Sequence, residues 1–567
     1  MPGTSPAGSP VVPPDYEGVR SVPALSVRYQ PGVPRPARAA LPLLRFALAG
    51  LAALWLAGCA THPPATSLPR NVTHALPQTT PTPLGAALAA PELAHPGESG
   101  FRLLPVGTDA LQMRIALARA ATKTLDMQYY IATEDTTGKL LLAAALSAAD
   151  RGVRVRMLVD DLNFKDIDQV MASLNAHPNI EIRVFNPFGA AQRGVFARTA
   201  DLVTKIDRFT RRMHNKAMIA DNQLAIVGGR NLGDEYFSAS PTLQFRDIDV
   251  LAAGPVTADI SSSFDAYWAS VSAYPLRVLN HQRFDPQDLD RTRDALRQHW
   301  RDNAGQYDAK PLNATPLAAQ IAGDQLGLVW AKAEFAADAP EKISMARGTY
   351  QSPPMQRLAE LSKEAQREFL VFSPYFVPHD AGVAALGALT ARGVRVAILT
   401  NSLAATDAVA VQAGYAPYRV PLLERGVELY EFRPQQPPTA RVRMFGSRSR
   451  ASLHAKAYVI DRRTLVIGSL NLDPRSAYLN TELALVIRSP QLAGEVATLF
   501  DHVTQPTESY RVTLADPSPS AAGWHSPLVW TDEENGQTRT YGVDPGAGLL
   551  RNVLTGVFRM LPVDGQL

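Results

Sequence analysis

One pattern, His-x-Lys-x4-Asp, occurs twice in this chain of 567 residues: as His214-Asn215-Lys216 with Asp221, and as His454-Ala455-Lys456 with Asp461. Each copy runs on through a small pair to an asparagine, Gly228-Gly229-Arg230-Asn231 and Gly468-Ser469-Leu470-Asn471. The offset is 454 − 214 = 240, and it holds from 216 to 456, 221 to 461, 228 to 468 and 231 to 471. Lys and Asp each fill about one position in twenty, so a given His carries the pattern by chance about once in 400. Two copies in register with the same tail therefore demand two similar halves. In each copy short apolar runs flank an Asp at a turn (Ala217–Ala220 and Leu224–Val227; Tyr458–Ile460 and Leu465–Ile467), which predicts strand, tight turn, strand. His and Lys sit two apart, so on an extended chain both emerge on one face.

The repeat reaches beyond the motifs. Arg151-Gly152-Val153-Arg154-Val155 resembles Arg392-Gly393-Val394-Arg395-Val396, at 214 − 152 = 62 and 454 − 393 = 61 residues before the two histidines. Upstream, Leu125–Ile131 and Phe369–Phe376 read as matching strands, each followed by an Ala/Leu-rich helix. Strands alternating with helices predict an α/β fold of two homologous halves, each a mixed sheet flanked by helices, packed with pseudo-two-fold symmetry around one site. Counting back from Pro255 and Pro490 aligns Asp247 with Glu482 (255 − 247 = 490 − 482 = 8).

Two imidazoles, two ammonium groups and two amides suit the cutting and remaking of a phosphodiester through a covalent intermediate. A histidine acting on phosphorus needs its other ring nitrogen held by an acceptor. Asp247 and Glu482, one carboxylate per half, are the candidates, with Asp249 as the fallback. Asp221 and Asp461, at tight turns, complete the candidate set with His214, His454, Lys216 and Lys456 as supports of the site. Gly229 and Ser469 are expected to let backbone approach a bound anion without a bulky side chain in the way. No Asp/Glu/His cluster of metal-ligand spacing accompanies the motifs, and neither metal nor cofactor is expected.

These motifs resemble the phospholipase D superfamily, with both HKD halves in one chain. Arg211-Arg212-Met213-His214, Gly228 through Phe237, Leu453–Lys456, Leu472-Asp473-Pro474-Arg475-Ser476 and Thr400-Asn401-Ser402-Leu403-Ala404-Ala405-Thr406-Asp407 are similar to bacterial cardiolipin synthases of the C type, over about residues 97 to 567. The resemblance implies that one histidine attacks phosphorus while the other protonates the departing alcohol and deprotonates the incoming one. It implies His214 as nucleophile and His454 as acid/base, with Lys216, Lys456, Asn231 and Asn471 around the phosphate oxygens. The products are then a transferred phosphatidyl group or, with water as acceptor, a hydrolysed lipid; a nucleic-acid phosphodiesterase is the alternative.

The chain's start bears on the substrate. Arg35, Arg38 and Arg45 precede the uncharged run Phe46–Gly58, which is too short to span a bilayer and ends in Leu56-Ala57-Gly58-Cys59. Cys59, the single cysteine, lies where a bacterial lipobox places its lipidated residue. This predicts a periplasmic-side, lipid-anchored envelope protein. Residues 1 to about 34 fit no signal peptide and read as an over-extended start, with translation beginning near Val27 or Val33. Residues 1–58 hold five Arg and two acids, so removing them takes the formal charge from +3 to 0. A nucleic-acid enzyme would show a basic excess. Phospholipids are thus the expected partners, phosphatidylglycerol first and phosphatidylethanolamine second, and nucleic acid is not expected.

The predicted organisation is a signal region (1–58), a lipid-anchored Pro/Thr-rich linker (59–96) and a first half (97–275). A helical connector (276–350), in which Asp288–Asp302 bridges the halves, leads to a second half (351–505) and a C-terminal extension (506–567) with an amphipathic helix. The stripe Leu549, Leu550, Val553, Leu554, Val557, Phe558 and Leu561 suits packing on the domain or the bilayer. Tyr129, Tyr130, Tyr375 and Phe376 are candidates to line an acyl-chain entrance, and Arg208, Arg211 and Arg212 to meet anionic headgroups.

Overall fold

Two rows of β-branched and leucine side chains with a period of two run through each half, and they bury opposite faces of one long sheet. A computed structural model describes residues 72–161, 168–187, 210–279, 285–307, 315–434, 450–515, 527–548, 551 and 554–556, all within the compact unit Ala60–Leu567. Cys59, the run 46–58, Arg208 and the stripe residues other than Leu554 lie outside the described residues.

The first half comprises β1 (Ser99–Leu104), β2 (Thr124–Tyr129), β3 (Arg154–Asp160), β4 (Ile180–Phe185), β5 (Ala217–Ala220), β6 (Leu224–Gly228), β7 (Leu243–Arg246), β8 (Asp249–Ala253) and β9 (Ala273–Pro275). After β10 (Val329–Ala337) come β11 (Glu368–Phe372), β12 (Arg395–Asn401), β13 (Glu428–Phe432), β14 (Arg450–Leu453), β15 (Ala457–Ile460), β16 (Thr464–Gly468), β17 (Leu483–Arg488), β18 (Ser509–Leu514), β19 (Leu528–Glu534) and β20 (Gln537–Tyr541). The first half runs β9-β4-β3-β2-β5-β6-β8-β1, parallel at β2-β3-β4 and antiparallel elsewhere. The second repeats it as β18-β13-β12-β11-β15-β16-β17-β10, parallel at β11-β12-β13. An antiparallel β1–β10 pair (Ser99↔Ala331 to Phe101↔Val329) joins them into one sheet of 18 strands.

The period of two divides the core into layers. Met218 and Ala220 of β5 face an outer core with Leu111 and Leu117 of α2 (Gly107–Ala120) and Leu140 and Leu141 of α3 (Thr136–Asp150), while α1 (Pro83–Ala94) adds Leu84 and Leu88. Ala217 and Ile219 face a central core shared with the second half, where Ala457, Val459, Ile467 and Leu485 meet Phe264 and Trp268 of α4 (Pro255–Ala269). Tyr458 and Ile460 face a third core with Leu386 and Leu389 on the far side. One face of each sheet thus packs against the other half, which brings the two motifs together.

Three expected boundaries shift. Residues 72–96 are docked on the first half rather than free: the carbonyls of Thr73 and Leu76 accept from Arg156 and Asn222 at 2.6 and 2.8 Å, and Leu84 and Leu88 are fully buried. The 276–350 segment is not purely helical, because Ala331, Ala333, Phe335 and Ala337 turn one face of β10 to the central core while Lys332 and Glu334 face away; the alternation is masked by alanine, a weak strand former. The charged helix α5 (Pro286–Asn303) does not bridge the halves; it lies on α3, burying Leu289 and Leu296 and pairing Arg293 with Asp150 at 3.1 Å. Beyond 506, β18, β19 and β20 extend the second sheet. Among the described residues no helix is long and apolar enough to cross a membrane.

Candidate active site

Each motif is carried by a hairpin whose turn requires the left-handed region. Asp221 and Asn222 have φ of 55° and 54°, Asp461 and Arg462 of 55° and 53°, consecutive left-handed residues in three-residue loops (221–223 and 461–463), a conformation that Asp and Asn tolerate better than most residues. The Asp carboxylates have a second task. Asp221 accepts the backbone N–H groups of Thr122, Lys123 and Thr124 at 3.0, 2.8 and 2.9 Å. Asp461 accepts those of Gln366, Arg367 and Glu368 at 3.0, 2.8 and 3.0 Å. They tie the hairpin to the start of β2 or β11, remote from the imidazoles.

The histidines enter from the residues before β5 and β15, and each meets a carboxylate of the opposite half. β14 pairs in parallel with β7 up to Leu453↔Arg246, and the His454 N–H donates to the Arg246 carbonyl at 2.7 Å. The next residues along are His454 and Asp247, and His454 Nδ1 lies 2.6 Å from Asp247 Oδ2. The counterpart is a parallel bridge Met213↔Thr481, with the His214 N–H on the Thr481 carbonyl at 3.0 Å. There His214 Nδ1 lies 2.9 and 3.1 Å from the Glu482 carboxylate oxygens. A short parallel ladder between halves therefore sets each His–carboxylate pair, and Asp247 and Glu482 sit where the alignment expects acceptors.

Asp249, the fallback, is elsewhere. Its buried carboxylate pairs with Arg114 at 2.9 Å and Arg230 at 3.2 Å. It opens β8 on the face that carries Leu251 and Ala253 into the outer core, so it points into its own half. Gly229 and Ser469 also serve the carboxylates, a role the sequence does not suggest. A Cβ on Gly229 would lie 2.4 and 2.5 Å from the Asp247 oxygens, and one on Gly228 would lie 2.1 Å from Asp249 Oδ1. Ser469 donates its hydroxyl to Glu482, whose other oxygen accepts from Ser476 at 2.7 Å. Small residues are needed because the carboxylates of Asp247 and Glu482, just before β8 and β17, and of Asp249 fill the space.

The lysines lie beneath the imidazoles: Lys216 Nζ donates to the His214 carbonyl at 2.6 Å, and Lys456 Nζ to the His454 carbonyl. Lys216 also lies 5.2 Å from the centre of the Tyr130 ring. Asn231 bridges within its half, accepting from the Ile131 N–H at 3.1 Å and donating to the Tyr236 hydroxyl at 2.9 Å. The Asn471 side-chain oxygen is buried without a partner. Tyr130 stands edge-on to His214 at 5.1 Å, and Tyr236 and Phe245 stand 5.4 and 4.8 Å from His454. Tyr236 and Phe245, first-half residues against the second-half histidine, were missed by sequence reading; the equivalence of Tyr236 with Ser476 (476 − 236 = 240), each five residues past its asparagine, was the available signal. Tyr129 and Phe376 point into the core, while Tyr130 and Tyr375 are half-buried on the site side. Arg212 is buried against Asp160 at 3.1 Å, and Arg211 donates to the Met345 carbonyl, so both are structural.

Burial governs the charges. It pushes the His214 imidazole down to about 4, with Lys216 acting in the same direction against Glu482. Burial, then Lys456, holds His454 well below its ordinary value, with Asp407 opposing. Lys216 and Lys456 are both lowered by burial, against the carboxylates. Burial raises Asp247 despite Lys456 and Arg230. Burial also pushes Glu482 up, but His214, Lys216 and the Ser469 hydroxyl outweigh it and leave it below the ordinary range. The ladders between the halves bring both motifs into one site, where the Lys216 charge also lowers His454. Neutral imidazoles, each with Nδ1 on a carboxylate, present Nε2 as the reactive nitrogen.

A family profile described as "Cardiolipin synthase, PLD-like domain" matches residues 114–268 and 358–504. The chain is 42% identical to "Cardiolipin synthase C" of Escherichia coli (strain K12), over 83% of this chain and 96% of that one. It is 26% identical to "Cardiolipin synthase A" of Pseudomonas aeruginosa (strain LESB58), over 70% and 66%. In fold it is similar to the solved phosphatidylserine synthase of Haemophilus influenzae Rd KW20, with a TM-score of 0.50 and 15% identity over 75% of this chain and 92% of that one. Duplicated motifs, mirrored half-sheets and a relative matched along nearly its whole length make one conclusion: the chain belongs to the phospholipase D superfamily, in its cardiolipin synthase family of PLD-like domains.

Proposed function

We propose that this chain is a phosphatidyltransferase of the cardiolipin synthase kind, moving a phosphatidyl group from one phospholipid to a hydroxyl of another. His214 Nε2 attacks phosphorus; the P–N bond forms as the P–O bond to the headgroup alcohol breaks, and His454, which takes up a proton on Nε2 when the anionic phosphodiester enters the site, gives that proton to the departing oxygen. The acceptor hydroxyl then loses its proton to His454 and attacks the phosphatidyl-histidine. A new P–O bond forms, the P–N bond breaks, and the enzyme is restored. Lys216 and Lys456 hold the non-bridging oxygens as charge builds on the trigonal-bipyramidal transition state. Asn471, with a buried unpartnered amide oxygen, positions the substrate beside them. Asn231, engaged with Ile131 and Tyr236, serves mainly to shape the site. Water in place of the acceptor alcohol makes the same machinery a phospholipase D.

The observation that carries this reading is the pair of buried His–carboxylate contacts made across the halves, at 2.9 and 2.6 Å: two oriented imidazoles in one site supply a nucleophile and a separate proton carrier. The relatives' printed names and the zero formal charge beyond residue 58 favour a phospholipid over nucleic acid. We further propose lipidation of Cys59 and residence on the periplasmic side of the envelope, with phosphatidylglycerol, alone or with phosphatidylethanolamine, as substrate. Detergent-solubilised protein mixed with these lipids should yield cardiolipin, or phosphatidic acid when water competes, identified by mass. Neither product, beside cleavage of DNA, refutes the proposal. Loss of labelled palmitate incorporation in Cys59→Ala tests the anchor.

A further inference from the structure

Beside His454 stands a carboxylate for which the phosphoryl chemistry above has no use. Asp407 closes the run Thr400–Asp407, whose residues are held with unusual redundancy. Asn401, at the end of β12, clamps the backbone of Leu453 from both sides, accepting from its N–H and donating to its carbonyl at 2.9 Å each. The turn that follows is closed by the Thr406 N–H on the Ser402 carbonyl at 2.9 Å. Arg551, from the C-terminal segment, gathers three of its carbonyls on one guanidinium nitrogen: Leu403, Ala404 and Thr406, at 2.6, 3.2 and 2.9 Å. At the end of this pinned turn Asp407 is exposed, and it accepts the Tyr375 hydroxyl at 2.7 Å.

A carboxylate here repels an anionic phosphodiester, and among the described residues no arginine or lysine forms an ion pair with it. Because Asn401 grips Leu453, the residue before His454, the run lies along the His454 side of the site, where the Asp407 charge acts on His454, Lys456 and Tyr236. That is the side of the site where, on the reading proposed above, alcohol oxygens come and go in both half-reactions. A fixed acceptor at that place discriminates between alcohols by what else they carry.

We infer that Asp407, aimed by Tyr375 and held by the Arg551-pinned turn, selects headgroup alcohols that bear a second hydrogen-bond donor, a neighbouring hydroxyl or an ammonium, over alcohols that bear none. The inference rests on the transferase reading. It makes Asp407 a specificity residue for the alcohol partner, distinct from the histidines and lysines that handle phosphorus.

The test is transfer from phosphatidylglycerol to three soluble alcohols, deuterated glycerol, ethanolamine and 1-propanol, with products resolved by mass. Wild type should favour glycerol or ethanolamine over 1-propanol by roughly tenfold or more, the worth of a hydrogen bond to a charged group. In Asp407→Ala that ratio should collapse toward one. Asp407→Asn keeps an acceptor but no charge, so it should retain most of a glycerol preference and lose an ethanolamine preference, which separates the two headgroup chemistries. Tyr375→Phe should erode the same ratio less. A ratio unchanged in Asp407→Ala, or no preference in wild type, overturns the inference while leaving the transferase reading intact. No transfer to any alcohol by folded wild-type protein sinks the transferase reading and this inference with it.

Discussion

Exchanging Glu482 for Gln, and Asp247 for Asn, separates the two histidines by the work each does. Glu482 is fully buried and accepts three side-chain hydrogen bonds, from His214, Ser469 and Ser476. The amide keeps the volume but removes the charge behind His214 and offers N–H where acceptors are required, favouring the wrong tautomer. A carboxylate-to-amide change behind a working imidazole costs about 10²–10⁴-fold in rate, or about 3–6 kcal/mol of barrier at roughly 1.4 kcal/mol per decade. Asp247 makes one such contact, with His454, and Asp247→Asn should cost a similar factor on a natural phospholipid. The assay is rapid-quench measurement of acid-labile phosphoenzyme, with a phospholipid and with a phosphodiester whose nitrophenol leaving group needs no proton. Glu482→Gln should be slow on both. Asp247→Asn should be slow on the lipid, yet within about tenfold of wild type on the nitrophenyl substrate, where acid catalysis contributes little. Equal loss on both substrates for Asp247→Asn, or sparing of Glu482→Gln, refutes the assignment of roles. The pairing is tested separately by NMR: the His214 Nδ1–H resonance should vanish in Glu482→Gln and survive in Asp247→Asn, and the reverse would refute contact across the halves.

Three further outcomes follow from the packing. Gly229→Ala puts a Cβ within 2.5 Å of the Asp247 carboxylate; overpacking of this kind costs about 1–3 kcal/mol, and activity should fall further than the denaturation midpoint suggests because His454 loses its orienting partner. Ser469→Gly should instead leave the protein folded and reduce activity modestly. Asp249→Asn strips the counter-charge from buried Arg114 and Arg230 and should destabilise by about 3–5 kcal/mol, seen in chemical denaturation; a change below about 1 kcal/mol would contradict a structural role. Stability should fall as pH drops from about 6.5 toward 4. His214 holds its proton less tightly when folded than the ordinary value of 6.5, down to about 4, so the unfolded chain binds the proton first and gains. His214→Asn should flatten that slope.

Much of this was legible locally. Strand periodicity and the Asp turns are near-neighbour properties, because side-chain direction alternates residue by residue whatever lies beyond, and the 240-residue offset only compares two such local patterns. They located His214, His454, Lys216 and Lys456, and counting from Pro255 and Pro490 located Asp247 and Glu482. What failed was also physical. Alanine in β10 hid a core strand, the docking of residues 72–96 depends on partners such as Asn222 and Arg156, and nothing near Gly229 in the sequence shows that it makes room for Asp247.

Taken alone, the sequence determined the chemistry: two imidazole–ammonium motifs, a duplicated α/β half and one carboxylate in each. Only the tertiary structure decided which carboxylate serves which histidine. The partners stand 268 and 207 residues apart, joined through parallel ladders between halves that leave no local pattern. Because each half faces the other through the central core, its carboxylate reaches the other's imidazole, and neither motif is complete until both halves have met.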